Sequence, residues 1–254
     1  MNWRHPGPGG SLLYAAMAAV AGGAVATVAR LEAARQVGRR SVARQLPAGP
    51  LIVVANHTSY ADGVLLAIAC RDLGRSLRLL ATAGVFTNPL LGPVVRRLGF
   101  IPVHRGSASA ADALDAAAEA LAAGEAVGLF PEGRISRDPQ HWPERSKTGA
   151  VRLALRTGAP IVPVAMHGAQ EVVALRGNVL RTARNLVLPP EVKVLVGDSI
   201  DVTSLMRADP ADGDDEATVR RVSDVVMGRL IDLVEELRGL EAAHEFGVPR
   251  DDGS

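Results

Sequence analysis

The sequence predicts an α/β fold, in which a mostly parallel central sheet is flanked by helices. From Pro50 onward, short apolar runs alternate with longer helical patterns, and strands that are separated by helices usually pair in parallel. The 254 residues are enough for one such domain with a sizeable core. Two polar motifs each follow an apolar run directly, as site residues do at the carboxyl ends of strands in this class of fold.

The predicted strands are short runs rich in Val, Ile, Leu and Ala. They cover Leu51–Ala55, Leu77–Ala81, Ile101–Val103, Ala126–Phe130, Ile161–Met166 and Val192–Val196. The predicted helices lie between and after them, over Asp62–Leu73, Pro89–Leu98, Ala110–Ala123, Lys147–Thr157 and Asp215–Glu241. The last helix repeats valine and leucine at helical spacing, so we expect it to cover the sheet.

The N-terminal segment differs from the rest of the chain. Residues 1–10 are polar and rich in Pro and Gly, so we expect disorder there, and we expect residues 247–254 to fray. Leu12 to Ala29 carries no charge and would reach roughly 27 Å as a helix, about the thickness of a hydrocarbon core. We interpret residues 11–48 as a membrane-associated helical segment. A helix packed on the domain and a secretory signal are the two alternatives.

The distribution of charge favours the membrane interpretation. Residues 1–110 carry a net charge of +9 and the remainder −8, although the whole chain is only +1. Five arginines directly follow the apolar segment, at positions 30, 35, 39, 40 and 44. Basic flanks of this kind stay on the cytoplasmic side and attract anionic lipid head groups. We therefore expect an anionic membrane surface as a partner, at the cytoplasmic face of the cell membrane, with a solvated helix face as the alternative.

Several other classes of function are disfavoured by composition. Aromatic residues make up only 3% of the chain and no nucleic-acid-binding motif occurs, so nucleic acid is not an expected partner. The single cysteine, Cys70, excludes an internal disulfide and a multi-cysteine metal site, and its apolar surroundings predict a core residue. No dinucleotide fingerprint, P-loop or zinc-protease motif is present. We expect neither a metal nor a cofactor, and His104, His141 and His167 receive no role.

The first polar motif consists of Asn56, His57 and Asp62, directly after a predicted strand. On one regular helix His57 and Asp62 would point about 140° apart, so they meet only if His57 lies on the loop and Asp62 in the first helical turn. Ser59 and Asp62 resemble a capping box, which supports that arrangement but also gives Asp62 a purely structural alternative. If the two meet, the carboxylate orients the imidazole, which can act as a general base. Because no nucleophile elbow is visible, the nucleophile would be a substrate hydroxyl.

Four short motifs occur in order over residues 50–170. They are Asn56-His57 with Asp62, then Gly99 to Arg105, then Phe130 to Gly133, and finally Ile161 to Val164. Each alone is weakly specific, but together, in this order and spacing, they resemble the 1-acylglycerol-3-phosphate O-acyltransferase (lysophosphatidic acid acyltransferase) family of glycerolipid acyltransferases. The resemblance implies an acyltransferase domain over residues 49–246.

The resemblance implies direct acyl transfer in phospholipid biosynthesis. The acyl group would pass from acyl-CoA or acyl-ACP to the free hydroxyl of 1-acylglycerol 3-phosphate, with His57 as general base and Asp62 as its orienting carboxylate. A thioester is already activated, so most of the acceleration would come from positioning, which contributes roughly 7–11 kcal/mol in the best intramolecular cases. The implied partners are a lysophospholipid, an acyl thioester and, where it carries the acyl group, acyl carrier protein.

The same resemblance implies a phosphate-binding side of the site. Arg105 is the first implied clamp, and Glu132 and Gly133 would shape the loop, with Gly133 allowing close backbone approach. An ionised Glu132 only accepts hydrogen bonds, so we expect it to bind a hydroxyl or orient an arginine. Many relatives have Thr-Arg after this glycine, whereas here Arg134 follows directly. Arg134 and Lys147 are further phosphate candidates, with an ordinary surface charge as the alternative for each.

Three rival functions stay open at this stage. The acceptor could be another lysolipid, such as a lyso-ornithine lipid, because arginine also binds carboxylates. The protein could be a hydrolase in which His57 activates water. It could also be a non-catalytic lipid-binding relative that retains the site residues.

Overall fold

The computed structural model describes residues 30–35, 46–89, 91–104, 107–172, 191–208 and 216–239. Within these ranges the chain forms one sheet, whose strands are β1 (Arg30–Arg35), β2 (Leu51–Ala55), β3 (Leu77–Thr82), β4 (Ile101–Val103), β5 (Ala126–Leu129), β6 (Ile161–His167) and β7 (Glu191–Val196). The order across the sheet is β1-β7-β6-β2-β5-β3-β4. Every neighbouring pair is parallel except β6 and β7, so the predicted mostly parallel sheet is confirmed.

Helices cover both faces of this sheet. They are α1 (Asp62–Asp72), α2 (Ala83–Thr87), α3 (Leu91–Arg97), α4 (Ser107–Ala122), α5 (Gly149–Thr157), α6 (Ala169–Val172), α7 (Val202–Ala208) and α8 (Glu216–Arg238). Side chains of α1, α2 and α3 belong to the core on one face, and those of α4, α5, α7 and α8 belong to the core on the other. The predicted α/β layering is therefore confirmed.

Strand β2 lies in the interior of the sheet, between β5 and β6. Its five side chains are all fully buried, and they alternate between the two cores: Leu51, Val53 and Ala55 on one face, Ile52 and Val54 on the other. Such a strand has no solvent-exposed face, which explains why its sequence is continuously apolar rather than alternating. The residues that follow β2 thus begin at a well-fixed point.

Cys70, on α1, is 1% exposed and belongs to the core between α1 and the sheet. Burial raises the pKa of its thiol to about 12, against a weaker opposite effect of the Arg75 charge. The thiol therefore stays protonated, as expected of a core residue rather than a nucleophile.

The predicted helix Pro89–Leu98 is correct only over α3. The residues before it form a separate short helix, α2, which ends at Thr87 and is followed by Asn88 as its C-cap. Asn88 is extended, with φ −65° and ψ 128°, because the following Pro89 disfavours helical backbone in the residue before it. Strand β1 and helices α2, α6 and α7 were not predicted, and the expected helix start at Lys147 moves to Gly149.

The N-terminal prediction is only partly covered by the structure. Residues 30–35, which fall in the predicted helical segment, form β1 instead and pair in parallel with β7. Tertiary strand pairing here outweighs local propensity. No helix in the described ranges is long and apolar enough to cross a membrane. Residues 46–48, the end of the expected segment, are not helical either. Its other parts, residues 11–29 and 36–45, lie outside the described residues, as do residues 1–10 and 247–254.

Candidate active site

The site begins where β2 ends, at Asn56. Its side-chain amide donates to the carbonyl of Met166 (2.9 Å), and its side-chain oxygen accepts the N–H of the same residue (2.7 Å). Asn56 is fully buried, so this two-way bond replaces water and joins the carboxyl ends of β2 and β6. The next residue, His57, is thereby placed at the carboxyl edge of the sheet.

His57 and Asp62 meet as predicted. The imidazole Nδ1 lies 2.9 Å from Asp62 Oδ2. Residue 57 is on the loop and Asp62 is the first residue of α1, which is the one arrangement that brings the two together over five residues. A carboxylate can only accept, so Nδ1 carries the proton and Nε2 keeps its lone pair.

The Asp62 carboxylate is held by more than the imidazole. It is fully buried, and its Oδ2 also accepts the main-chain N–H groups of Thr58 (2.5 Å) and Ser59 (2.8 Å). The bond from Ser59 is one half of the expected capping box. In place of the other half, the Asp62 N–H donates to the Ser59 carbonyl (3.2 Å), and the Ser59 hydroxyl accepts the N–H of Ala61 (3.2 Å). Asp62 therefore both shapes the loop and orients His57, so its structural and functional interpretations are not exclusive.

The plane of the His57 ring is fixed by Phe130. The two rings stack with centroids 4.1 Å apart and an angle of 13° between their planes. The His57 side chain is 19% exposed, and no described residue hydrogen-bonds its Nε2. A ring held by stacking and by one nitrogen presents its other nitrogen in a set direction, as a general base requires.

The hydrogen-bond partners of Glu132 differ from the expected ones. Glu132 was expected to bind a hydroxyl or orient an arginine, but one carboxylate oxygen accepts the main-chain N–H of His57 (2.9 Å) and the other accepts that of Glu144 (3.0 Å). Glu132 is only 4% exposed. The Glu132 side chain thus joins the motif Phe130 to Gly133 to the main chain of His57. It also joins the start of the loop after β5 to Glu144, near the end of the same loop.

The environment of Glu132 raises its pKa to about 7. Burial is the largest cause, and the negative charges of Glu144 and Asp62 add to it, whereas the two main-chain hydrogen bonds oppose it. The carboxyl group that tethers His57 therefore changes protonation near neutral pH.

The loop from Phe130 to Lys147 turns sharply at Gly133. This glycine has φ +70°, in the left-handed region that other residues avoid. A Cβ at this position would lie 2.9 Å from both Cε and Nζ of Lys147. The Lys147 main-chain N–H donates to the Pro131 carbonyl (2.8 Å). The lysine side chain therefore packs directly over the Glu-Gly turn, where the resemblance expects a cation.

Arg134 also lies on this loop, with a side chain that is 42% exposed. Its Nη2 is 2.6 Å from Glu144 Oε2. The structure brings Glu132, Gly133, Arg134 and Lys147 onto one loop, joined to His57 by Glu132. Arg105, the first expected clamp, lies outside the described residues.

Helix α8 fixes the far limb of the loop, a role that the sequence did not reveal. Arg220 donates to the carbonyl oxygen (2.7 Å) and hydroxyl oxygen (2.8 Å) of Ser146. Arg238 donates to the carbonyls of Gln140 (2.9 Å) and His141 (2.8 Å) and lies over the Trp142 ring. The residues in these contacts are between 74 and 98 positions apart in sequence, so no local sequence pattern predicts the contacts.

A surface cleft exists elsewhere on the described part of the domain. It is lined by Pro50, Ala118, Leu121, Ala122, Gly124, Arg156 and Thr157. Residues 50, 124 and 157 precede β2, β5 and β6, so the cleft lies toward the amino ends of these strands. His57 follows the carboxyl end of β2, and the cleft therefore belongs to the opposite edge and contains no motif residue.

Comparison with known proteins identifies the family. The family model described as Acyltransferase matches residues 34–167, which is more than half of the chain. The chain belongs to the Acyltransferase family. The match runs from β1 through β6 and includes both motifs that meet at His57.

Two curated relatives show how this chain aligns with longer proteins. The chloroplastic 1-acyl-sn-glycerol-3-phosphate acyltransferase BAT2 of Brassica napus is 32% identical over 125 residues, which cover 49% of this chain and 35% of the plant protein. The N-acylphosphatidylethanolamine synthase of Arabidopsis thaliana is 30% identical over 175 residues, which cover 65% of this chain and 61% of that protein. The chain thus spans less than two thirds of the length of either relative.

The fold of this chain is similar to that of a solved structure. The crystal structure of the 1-acyl-sn-glycerophosphate (LPA) acyltransferase PlsC from Thermotoga maritima matches with a TM-score of 0.63 and 18% sequence identity, over 94% of this chain and 85% of that chain. At this identity the likeness concerns the fold, and it agrees with the mostly parallel sheet flanked by helices.

Proposed function

We propose that the protein transfers an acyl group from a thioester, acyl-CoA or acyl-ACP, to the free hydroxyl of 1-acylglycerol 3-phosphate, giving phosphatidic acid. The observation that carries the proposal is the 2.9 Å contact between His57 Nδ1 and Asp62, which leaves Nε2 as the available base. The resemblance to 1-acyl-sn-glycerol-3-phosphate acyltransferases supports this choice of acceptor.

The proposed reaction needs one proton relay and no covalent acyl-enzyme. Nε2 of His57 takes the proton of the acceptor hydroxyl as its oxygen attacks the thioester carbonyl. The carbon–sulfur bond then breaks, and the imidazolium returns its proton to the departing thiolate. Asp62 stabilises the transient positive charge through Nδ1, and a positioned base of this kind contributes about 10²–10⁴-fold.

The phosphate of the acceptor would bind on the loop that follows β5. Arg134 and Lys147 are the two cations of this loop that we propose as phosphate ligands, and Arg105 is a proposed third. An arginine fork matches phosphate oxygens, and a lysine adds a mobile point charge. Binding the phosphate on this loop would set the free hydroxyl near His57, because Glu132 joins the loop to the His57 backbone.

The expected setting is a membrane surface. Both donor thioesters are cytosolic, and the arginines that precede β2 suit anionic lipid. We therefore propose action at the cytoplasmic face of the cell membrane, without a metal or other cofactor. Full activity in the presence of EDTA is the expected result.

A second acceptor class is favoured by one comparison. The match to N-acylphosphatidylethanolamine synthase covers more of this chain than the match to BAT2 does. An amine nucleophile would use His57 in the same way, since it too must lose a proton. Phosphatidylethanolamine and a lyso-ornithine lipid therefore belong in the same assay as lysophosphatidate.

The test is a product analysis with purified full-length protein, a panel of these acceptors and both donor types. We expect acyl transfer to lysophosphatidate, giving phosphatidate, and no acylated product from the other acceptors. We expect His57→Ala to abolish transfer while its melting temperature and vesicle binding match those of the wild type. Thioester hydrolysis without an acceptor product would identify a hydrolase. Absence of turnover with every acceptor would leave the lipid-binding alternative.

A further inference from the structure

Arg134 already has a charged partner within the protein, Glu144. Its guanidinium lies 2.6 Å from Glu144 Oε2, and the two side chains are 42% and 25% exposed. Among the described contacts Oε2 is nevertheless buried without a hydrogen-bond partner, so this is a charge contact whose angles fall outside hydrogen-bonding geometry. A poorly aligned, partly exposed ion pair is weak.

Glu144 is held in place independently of Arg134. Its other carboxylate oxygen accepts the main-chain N–H of Arg137 (3.2 Å), and its own main-chain N–H donates to Glu132 (3.0 Å). If Arg134 turns away, the Glu144 carboxylate therefore keeps one partner and its backbone keeps its position.

The contact has a consequence for acceptor binding. A phosphate group that is to bind Arg134 must replace Glu144 as its partner. A phosphate monoester carries close to two negative charges and can accept from both arms of the guanidinium, so the exchange is favourable for it. An uncharged head group offers no such compensation and leaves the pair closed.

We propose that Glu144 is a specificity-determining residue, a built-in counter-ion that Arg134 exchanges for the anionic head group of the acceptor. This inference rests on the proposed function and deepens it. Glu144 competes with the acceptor and so weakens its binding, and it keeps Arg134 from attracting other ligands. It takes no part in the proton transfer at His57.

The variant Glu144→Gln tests this directly. The substitution keeps the shape, the main-chain bond to Glu132 and an oxygen for the Arg137 N–H, but removes the competing charge. The matched control is Asp115→Asn, which removes the same charge from another partly exposed arginine pair, Arg156–Asp115 on α5 and α4. Melting temperatures of both variants verify that they are folded.

The kinetic comparison uses lysophosphatidate and uncharged monoacylglycerol as acceptors. We expect Glu144→Gln to lower KM for lysophosphatidate about two- to five-fold, the range of an exposed ion pair, with kcat and the monoacylglycerol KM unchanged. In an Arg134→Gln background the same substitution should have no effect. An unchanged lysophosphatidate KM, or an equal shift for both acceptors, would overturn the proposal.

A binding readout separates this inference from the proposed function. Glycerol 3-phosphate, the soluble head group, should raise the melting temperature at about two- to five-fold lower concentration in Glu144→Gln than in the wild type or in Asp115→Asn. If the wild type acylates no lysophosphatidate but this shift occurs, the proposed reaction fails and the role of Glu144 stands. If the wild type is active and the variant titrates like it, the role of Glu144 fails alone.

Discussion

The two motifs of the site are held in place in different ways. His57 and Asp62 are joined by contacts that span at most five residues, within one loop and the first turn of α1. The loop from Phe130 to Lys147 depends on partners far away in sequence, including His57 and Arg220 on α8. The proposed catalytic pair is therefore a local structure at the end of the buried strand β2, whereas the proposed phosphate side is assembled by tertiary contacts.

The largest effect on turnover should come from Asp62→Asn, which disrupts the locally held pair of His57 and Asp62. His57, Thr58 and Ser59 all donate to Asp62 Oδ2. A neutral amide oxygen in that place accepts them more weakly than a carboxylate, and an N–H₂ in that place favours the wrong imidazole tautomer. We expect kcat to fall by about 10²–10⁴-fold. The measurement is a steady-state assay with the acceptor that the wild type accepts.

The matched control for this prediction is Asp201→Asn at the start of α7. Asp201 also accepts main-chain N–H groups, from Thr203 and Ser204, but it lies on an exposed turn outside the site. We expect its kcat to equal that of the wild type. Near-normal turnover in Asp62→Asn would contradict the assignment of Asp62 as the residue that orients His57.

The next largest effect on turnover should come from Glu132→Gln, because Glu132 links the loop from Phe130 to Lys147 to the main chain of His57. A glutamine oxygen can accept only one of the two main-chain N–H groups that Glu132 serves, and an unsatisfied buried donor costs about 1–3 kcal/mol. We expect kcat to fall by at least ten-fold, since either the His57 backbone or the Glu144 backbone loses its tether. Unchanged kcat with a lowered melting temperature would restrict Glu132 to stability.

The same variant carries a pH signature. Because the folded pKa of Glu132 is raised to about 7 from an ordinary value of 4.5, the folded state binds more protons than the unfolded state between these values. The contribution of Glu132 to stability is present below pH 4.5 and is lost as the pH rises through 7, by about 3 kcal/mol at most. Thermal unfolding at several pH values should show this loss in the wild type and not in Glu132→Gln; parallel curves would contradict it.

The sequence could predict the parts of the site that local contacts hold, but not the parts that long-range contacts hold. The His57–Asp62 contact could be predicted because loop and helix start are marked within seven residues of sequence. The sheet could be predicted because strands buried on both faces, such as β2, have continuously apolar sequences. The main-chain partners of Glu132 could not, since a side chain that accepts from backbone N–H groups leaves no trace in the residues it contacts.

Two further features were beyond local patterns for physical reasons. Strand β1 has charged residues at both ends and one in its middle, and its pairing with β7 is fixed by tertiary contact rather than propensity. The arginines of α8 that hold the loop look like any solvated helix charge in sequence. Only their distance to Ser146 and to the carbonyls of Gln140 and His141 distinguishes them.

A smaller effect is expected at the turn of the loop, with Gly133→Ala. The left-handed conformation costs a non-glycine residue about 1–2 kcal/mol, and the new methyl group would displace the Lys147 side chain. We expect KM for the phosphorylated acceptor to rise by about ten-fold, the equivalent of one lost charged hydrogen bond, with little change in kcat. Gly158→Ala, at a left-handed helix end with open space around it, is the control for backbone strain alone.

The smallest effect should come from α8, with Arg220→Met. The substitution keeps the apolar stem but removes two hydrogen bonds to Ser146, next to Lys147. Since Arg238 and the Glu132–Glu144 bond still hold the loop, we expect KM to rise by less than about ten-fold and kcat to stay unchanged. Arg156→Met, which removes an exposed arginine from its pair with Asp115, should leave both constants as they are. If Arg220→Met lowered kcat as strongly as Asp62→Asn does, the catalytic pair would depend on α8, and the two halves of the site would not be held independently.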